Sequence, residues 1–139
     1  VYTKEQADHS LPYIVAVAIL DGQVMPAQYL PERIESRDVQ ELLRKVYIQP
    51  LDEFSQCFPA EMPSRIRITL NDDRVLIIEK RDFEGFLTRP MQGKPVTEKF
   101  ERLSQGHLAP SLQNEIEDAV AHLENIQVCD LTVLLEQIQ

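Results

Sequence analysis

The run LPYIVAVAIL, Leu11 to Leu20, constrains this chain more than any other stretch, because it carries no charge and no polar face. Tyr13, Ile14, Val15, Val17, Ile19 and Leu20 cover every side of a 3.6-residue repeat. A helix that is apolar all round is buried all round. Its ends are marked: Ser10 is a good N-cap, Pro12 falls in the first turn where its missing N–H does no harm, and Asp21-Gly22 supplies a C-terminal glycine. A chain of 139 residues is enough for one ordinary domain. Complete burial of such a helix is hard to supply at that size, so the helix predicts neighbours beyond this sequence. Val1 in place of an initiator Met adds the expectation of a piece of something longer.

The run is too short for a bilayer, which needs about 20 apolar residues. It has neither the basic flank nor the small-residue cleavage site of a signal peptide. The formal net charge is -9 and the basic residues are scattered, which excludes nucleic acid and membrane surfaces as partners. Cys57 and Cys129 form no C-x-x-C and have no histidine at zinc spacing, so they are expected to be reduced, partly buried thiols of a cytoplasmic protein.

Beyond Gly22, Pro26 and Pro31 allow only short helical turns. In SRDVQELLRKV, Ser36 is the expected cap, and Val39, Leu42, Leu43 and Val46 recur at helical spacing. Val46 and Ile48 then alternate with polar or aromatic neighbours, which predicts a short strand ended by Pro50, and residues 51 to 62 read as loop. SRIRITL alternates in full, so Ile66, Ile68 and Leu70 are expected inside, with Arg65, Arg67 and Thr69 in water. RVLIIEK is its hairpin partner across an Asp72-Asp73 turn, where one aspartate must accept a positive φ. Residues 82 to 95 read as loop. Helices follow over VTEKFERLS, then from a Ser111 cap with a stripe of Leu112, Ile116, Val120 and Leu123, and finally from Asp130 with Leu131, Leu134, Leu135 and Ile138. The fold class is α+β: a small, largely antiparallel sheet packed with helices.

Chemistry is sparse. His107 in a loop and His122 on a helix read as surface groups, and Glu32, Glu35 and Asp38 as a solvated face. His9 and Tyr13 differ. Four residues apart at a helix start, the two side chains come within reach of each other and could exchange protons with a ligand. The alternative is a capping histidine and a core tyrosine. There is no Gly-rich phosphate loop, G-x-S-x-G, H-E-x-x-H or Cys/His pair, so the chain alone carries no complete catalytic set.

The segments ADHSLPYIVAVAILDG, PERIESRDVQELLRKV and PSRIRITLNDDRVL, followed by Gly85, Arg89-Pro90-Met91 and Lys99-Phe100, resemble the C-terminal part of the MmgE/PrpD family. That family includes 2-methylcitrate dehydratase and cis-aconitate decarboxylase. The D-H-x-x-x-Y opening is the most specific of these motifs. The resemblance implies a division into residues 1–22, an apolar helix of the family's helical domain; 23–106, a small α/β domain; and 107–139, closing helices. It implies a lyase acting on a small tricarboxylate, in propionate catabolism where that substrate is 2-methylcitrate. It further implies no metal or other cofactor, a homodimer, and Tyr13, then His9, as the catalytic residues; the apolar run itself, if left uncovered, adds the expectation of self-association through the 11–20 helix. The remaining catalytic groups would lie upstream, leaving the isolated chain inactive. One departure stands out: a polar residue of the family's loop is replaced here by Phe86. A non-catalytic binding or interaction module derived from the same family is the rival reading.

Overall fold

The computed structural model describes residues 1–138. It is α+β, as the patterning predicts, and it divides into two compact units, Val1–Arg81 and Asp82 onward.

The first unit opens with helices α1 (Lys4–Asp8) and α2 (Leu11–Asp21). A 3₁₀ turn at Pro26–Tyr29 leads into α3 (Pro31–Ile34) and α4 (Arg37–Leu43). The boundaries of α2 follow from its sequence. The Ser10 hydroxyl accepts from the Tyr13 N–H at 3.3 Å, and Gly22 closes the helix at φ 70°. These helices form the core: Ala7, Tyr13, Val17, Ile34 and Val39 are sealed from solvent, with Val24, Tyr29 and Leu43 against them. Each large side chain so buried contributes about 1.5–3 kcal/mol.

The all-round burial expected of α2 does not occur. Tyr13, Ala16 and Val17 point into the core, whereas Leu11, Ile19 and Leu20 are exposed. Four short helices can cover one side of an apolar cylinder and no more. Ser36 does stand at the α4 N-cap, but its hydroxyl donates to the Arg33 carbonyl at 2.6 Å. The Asp38 carboxylate takes the Val39 N–H instead.

After α4 residues 46–50 form no regular element, so the strand expected there is absent. Alternation supplies a strand's faces but not its partner, and without a ladder no strand forms. The loop expected at 51–62 contains a single helical turn, α5 (Asp52–Ser55). Strands β1 (Ser64–Thr69) and β2 (Val75–Lys80) then pair antiparallel, Ile66 opposite Ile78 and Ile68 opposite Leu76. Asp73 takes the positive φ that the turn demands, 64°. Arg65 and Arg67 are exposed as expected. Ile66 is not inside: it is 41% exposed, and Leu76 and Ile78 are more so. Ile68 and Leu70 are half-buried, so the face expected inside is only partly covered.

The second unit holds α6 (Lys94–Ser104), α7 (Pro110–Ala121), a 3₁₀ turn at Leu123–Asn125 and α8 (Val128–Leu135). Helix α7 is capped at Ala109 rather than Ser111, because Pro110 takes the first helical position. Of its predicted stripe only Leu112 and Ile116 are buried; Val120 and Leu123 are exposed. Helix α8 starts two residues before Asp130, whose carboxylate accepts the Gln127 N–H at 2.9 Å.

Candidate functional site

The residues singled out by sequence are separated by burial. Tyr13 is sealed in the core and its hydroxyl donates to the Gln28 backbone carbonyl. Its ring meets that of Tyr29 at 6.0 Å between centroids. Burial pushes the Tyr13 phenol above its usual pKa, against the opposing pull of the nearby Arg33 charge. His9, at the break between α1 and α2, is exposed. Helix α2 thus carries the tyrosine inward while the histidine stays in water, and the two form no hydrogen bond among the described residues.

Around Tyr13 lies a polar network that sequence reasoning missed. The Gln28 side chain donates to Asp21 Oδ2 at 3.0 Å and accepts the Met25 N–H at 3.0 Å. Arg33 grips Asp21 through Nε at 2.9 Å and through a second guanidinium nitrogen, a bidentate pairing. Its remaining nitrogen reaches both Asp38 oxygens, at 2.9 and 3.0 Å, and the Ser36 hydroxyl at 2.8 Å. Hydrogen bonds from Arg33 hold the Asp21 carboxyl below the usual carboxylate range, and do the same for Asp38. The two carboxylates in turn push the Arg33 guanidinium up. Gln28 could have drawn notice as an amide between two prolines. Met25 is 3 residues away, but Asp21 and Tyr13 lie 7 and 15 residues away, so only the fold reveals the set.

Two shallow apolar grooves lie elsewhere in this unit. The larger, about 630 Å³, runs between Leu11 and Val15 of α2 and the side chains of Tyr47, Phe54 and Phe58. The smaller, about 330 Å³, is bounded by Val15, Ile19, Leu42, Ile66 and Ile68. Neither His9 nor Tyr13 lines either one. Arg65 stands at the rim of the larger groove, 5.0 Å over the Phe54 ring and paired to Glu79 at 2.8 Å.

In the second unit Phe86 packs on Phe83, 5.2 Å between ring centroids, so the residue that departs from the family pattern helps fold its own loop. His107 and His122 are exposed, as expected of surface groups. The His122 Nδ1–H donates to the Asp118 carbonyl, 2.9 Å away, and this contact raises the pKa of the ring. Cys57 is a half-buried thiol and Cys129 an exposed one, both free. Among the described residues no group of three or more His, Cys, Asp or Glu side chains is placed to hold a metal, and no helix is long and apolar enough to cross a membrane.

The C-terminal domain model of the MmgE/PrpD family matches residues 1–125. The chain belongs to that family. It is 31% identical to a cis-aconitate decarboxylase of Aspergillus terreus over 91% of its own length, and 26% and 24% identical to the human and mouse cis-aconitate decarboxylases over 96%. It spans 26–28% of the length of these relatives, about a quarter.

Proposed function

We propose that this chain serves as the C-terminal domain of a lyase acting on a small tricarboxylate, with cis-aconitate the first substrate to consider. The alignment with cis-aconitate decarboxylases over nine-tenths of the chain carries this reading. In such a reaction the electrons of the broken carbon–carbon bond stay on the substrate carbon, and an acid must deliver a proton there. His9 supports the reading as an open imidazole able to donate or accept that proton. Tyr13 would serve as a hydrogen-bond donor to the substrate only by exchanging the Gln28 carbonyl for a substrate oxygen. Dehydration of 2-methylcitrate is the sister reaction in the same family and uses the same kinds of group.

The isolated 139 residues are proposed to be inactive, because the chain spans about a quarter of the decarboxylases it resembles and its exposed His9 and buried Tyr13 do not meet. The non-catalytic module remains the competing reading, favoured by the packing of Phe86 onto Phe83 in place of a polar loop residue. Carbon dioxide release from cis-aconitate decides between them. The complete reading frame containing this sequence is expected to turn over, the 139-residue chain is not, and His9→Ala in the complete protein is expected to lose about 10²-fold or more. Dehydration of 2-methylcitrate with no decarboxylation would overturn the choice of substrate. Inactivity of the complete protein on both would overturn the lyase reading.

A further inference from the structure

The polar network at the end of α2 has an organisation that core stability alone does not require. Among the described residues Gln28 and Ser104 are the buried residues classed as polar, and Gln28 makes three distinct contacts. Its backbone carbonyl accepts the Tyr13 hydroxyl, its amide nitrogen reaches Asp21, and its amide oxygen takes the Met25 N–H. The last contact closes the 3₁₀ turn on itself and so fixes the direction of the Gln28 carbonyl. Asp21 is held in turn by the two-pronged Arg33, and Arg33 by Asp38 and Ser36. The Arg33–Asp21 pair is only partly buried, and an ion pair open to solvent adds little net stability. What it supplies is a single geometry, because a planar guanidinium and a carboxylate mate in one orientation. That geometry passes through Gln28 to one atom, the Tyr13 oxygen.

We propose that Gln28 and Arg33 are positioning residues for Tyr13: Arg33 fixes Asp21, Asp21 fixes the Gln28 side chain, and the Gln28 turn sets where the Tyr13 hydroxyl points. This rests on the reading that Tyr13 serves the site of a lyase. With its proton directed at a backbone carbonyl, the phenol oxygen keeps its lone pairs free to accept a hydrogen bond, and the ring is barred from rotating its hydroxyl elsewhere. Arg33 acts at a distance and touches no substrate, so its loss changes the orientation of Tyr13 rather than removing a reacting group.

The test reads Tyr13 directly. In the 139-residue chain labelled at the tyrosine ring carbon bearing the hydroxyl, Tyr13→Phe identifies the Tyr13 signal by nuclear magnetic resonance. Hydroxyl exchange and the alkaline midpoint are then followed in wild type, Gln28→Leu, Arg33→Met and Arg33→Lys. Gln28→Leu and Arg33→Met are expected to speed Tyr13 hydroxyl exchange about tenfold or more, the factor one ordinary hydrogen bond corresponds to. Arg33→Met, which removes the charge that opposes the rise, should also move the Tyr13 midpoint further up. Arg33→Lys, which keeps the charge but loses the fork, is expected to recover part of the difference. Amide protection at Val17 and Val39 reports whether the core is intact. Unchanged Tyr13 exchange in an intact core would overturn the proposal. So would a loss of Tyr13 protection that only parallels loss of protection at Val17 and Val39, because the network would then be merely structural. Tyr13→Phe in the complete enzyme separates this from the lyase reading: unaltered turnover there removes Tyr13 from the chemistry and leaves the positioning result standing.

Discussion

The helical cluster of residues 1–43 and the hairpin of residues 64–80 are both built from apolar-rich sequence, yet the cluster seals a core and the hairpin does not. Tyr13, Val17, Ile34 and Val39 are fully buried, whereas Ile66, Leu76, Ile77 and Ile78 each keep between 41% and 63% of their surface in water. The difference lies in the range of the contacts. Helices joined by a few residues fold their apolar sides against one another, and the Arg33 bridge binds the ends of α2 and α4. A two-stranded sheet satisfies its backbone along one seam but cannot cover either of its own faces. The patterning of β1 is that of a strand with one dry face, and that face is only partly covered within Val1–Arg81, where Ile68 is half-buried and Ile66 is not.

Substitution should break this comparison most visibly. Ile34→Ala removes a fully buried side chain and is expected to cost about 2–5 kcal/mol in urea unfolding. Ile77→Ala removes one that is 63% exposed and should stay within about 0.5 kcal/mol. Equal losses would show that the hairpin belongs to the core.

A smaller effect is expected at the turn. Asp73 sits at φ 64°, where a side chain is strained and glycine is not. Asp73→Gly should stabilise the hairpin by about 1 kcal/mol, seen as slower amide exchange in β1 and β2 with no change at Val17. A matching change at Val17 would couple the two regions.

The mildest test is acid. Hydrogen bonds from Arg33 lower the folded pKa values of Asp21 and Asp38. Just below the ordinary carboxylate range the unfolded chain therefore binds more protons than the folded one. The resulting stability is fully present above that range and is lost as pH falls through the lowered values. Between about pH 6 and about pH 3 the urea midpoint should fall further in wild type than in Arg33→Met, which lacks the linkage. An equal fall in both would place the acid sensitivity outside the cluster.

What was legible in the sequence is what local chemistry decides. Ser10 and Gly22 fix the ends of α2, Asp73 takes the positive φ of the turn, and the alternation over 64–70 yields a strand with wet arginines. The strand expected at Val46–Gln49 failed because pairing is not a local property. The exposure of Ile66 and Ile19 was illegible for the same reason: a pattern says which side wants cover, not whether cover is there. At the candidate site, His9 and Tyr13 could be chosen by motif, but that one faces water and the other a backbone carbonyl depends on how α1, α2 and the Pro26–Tyr29 turn meet. Gln28 and Arg33 had no sequence signature, since every partner that gives them meaning is brought in by the fold.

Hydrogen–deuterium exchange of the 139-residue chain at neutral pH tests the central claim most directly. If the first 43 residues form a core that the hairpin does not share, amides of α2 and α4 will exchange only by opening of the whole unit, while the hydrogen-bonded amides of β1 and β2 exchange by a local opening at least about tenfold faster. Hairpin amides as slow as those of Val17 and Val39, and slowed equally by conditions that stabilise the unit, would contradict it.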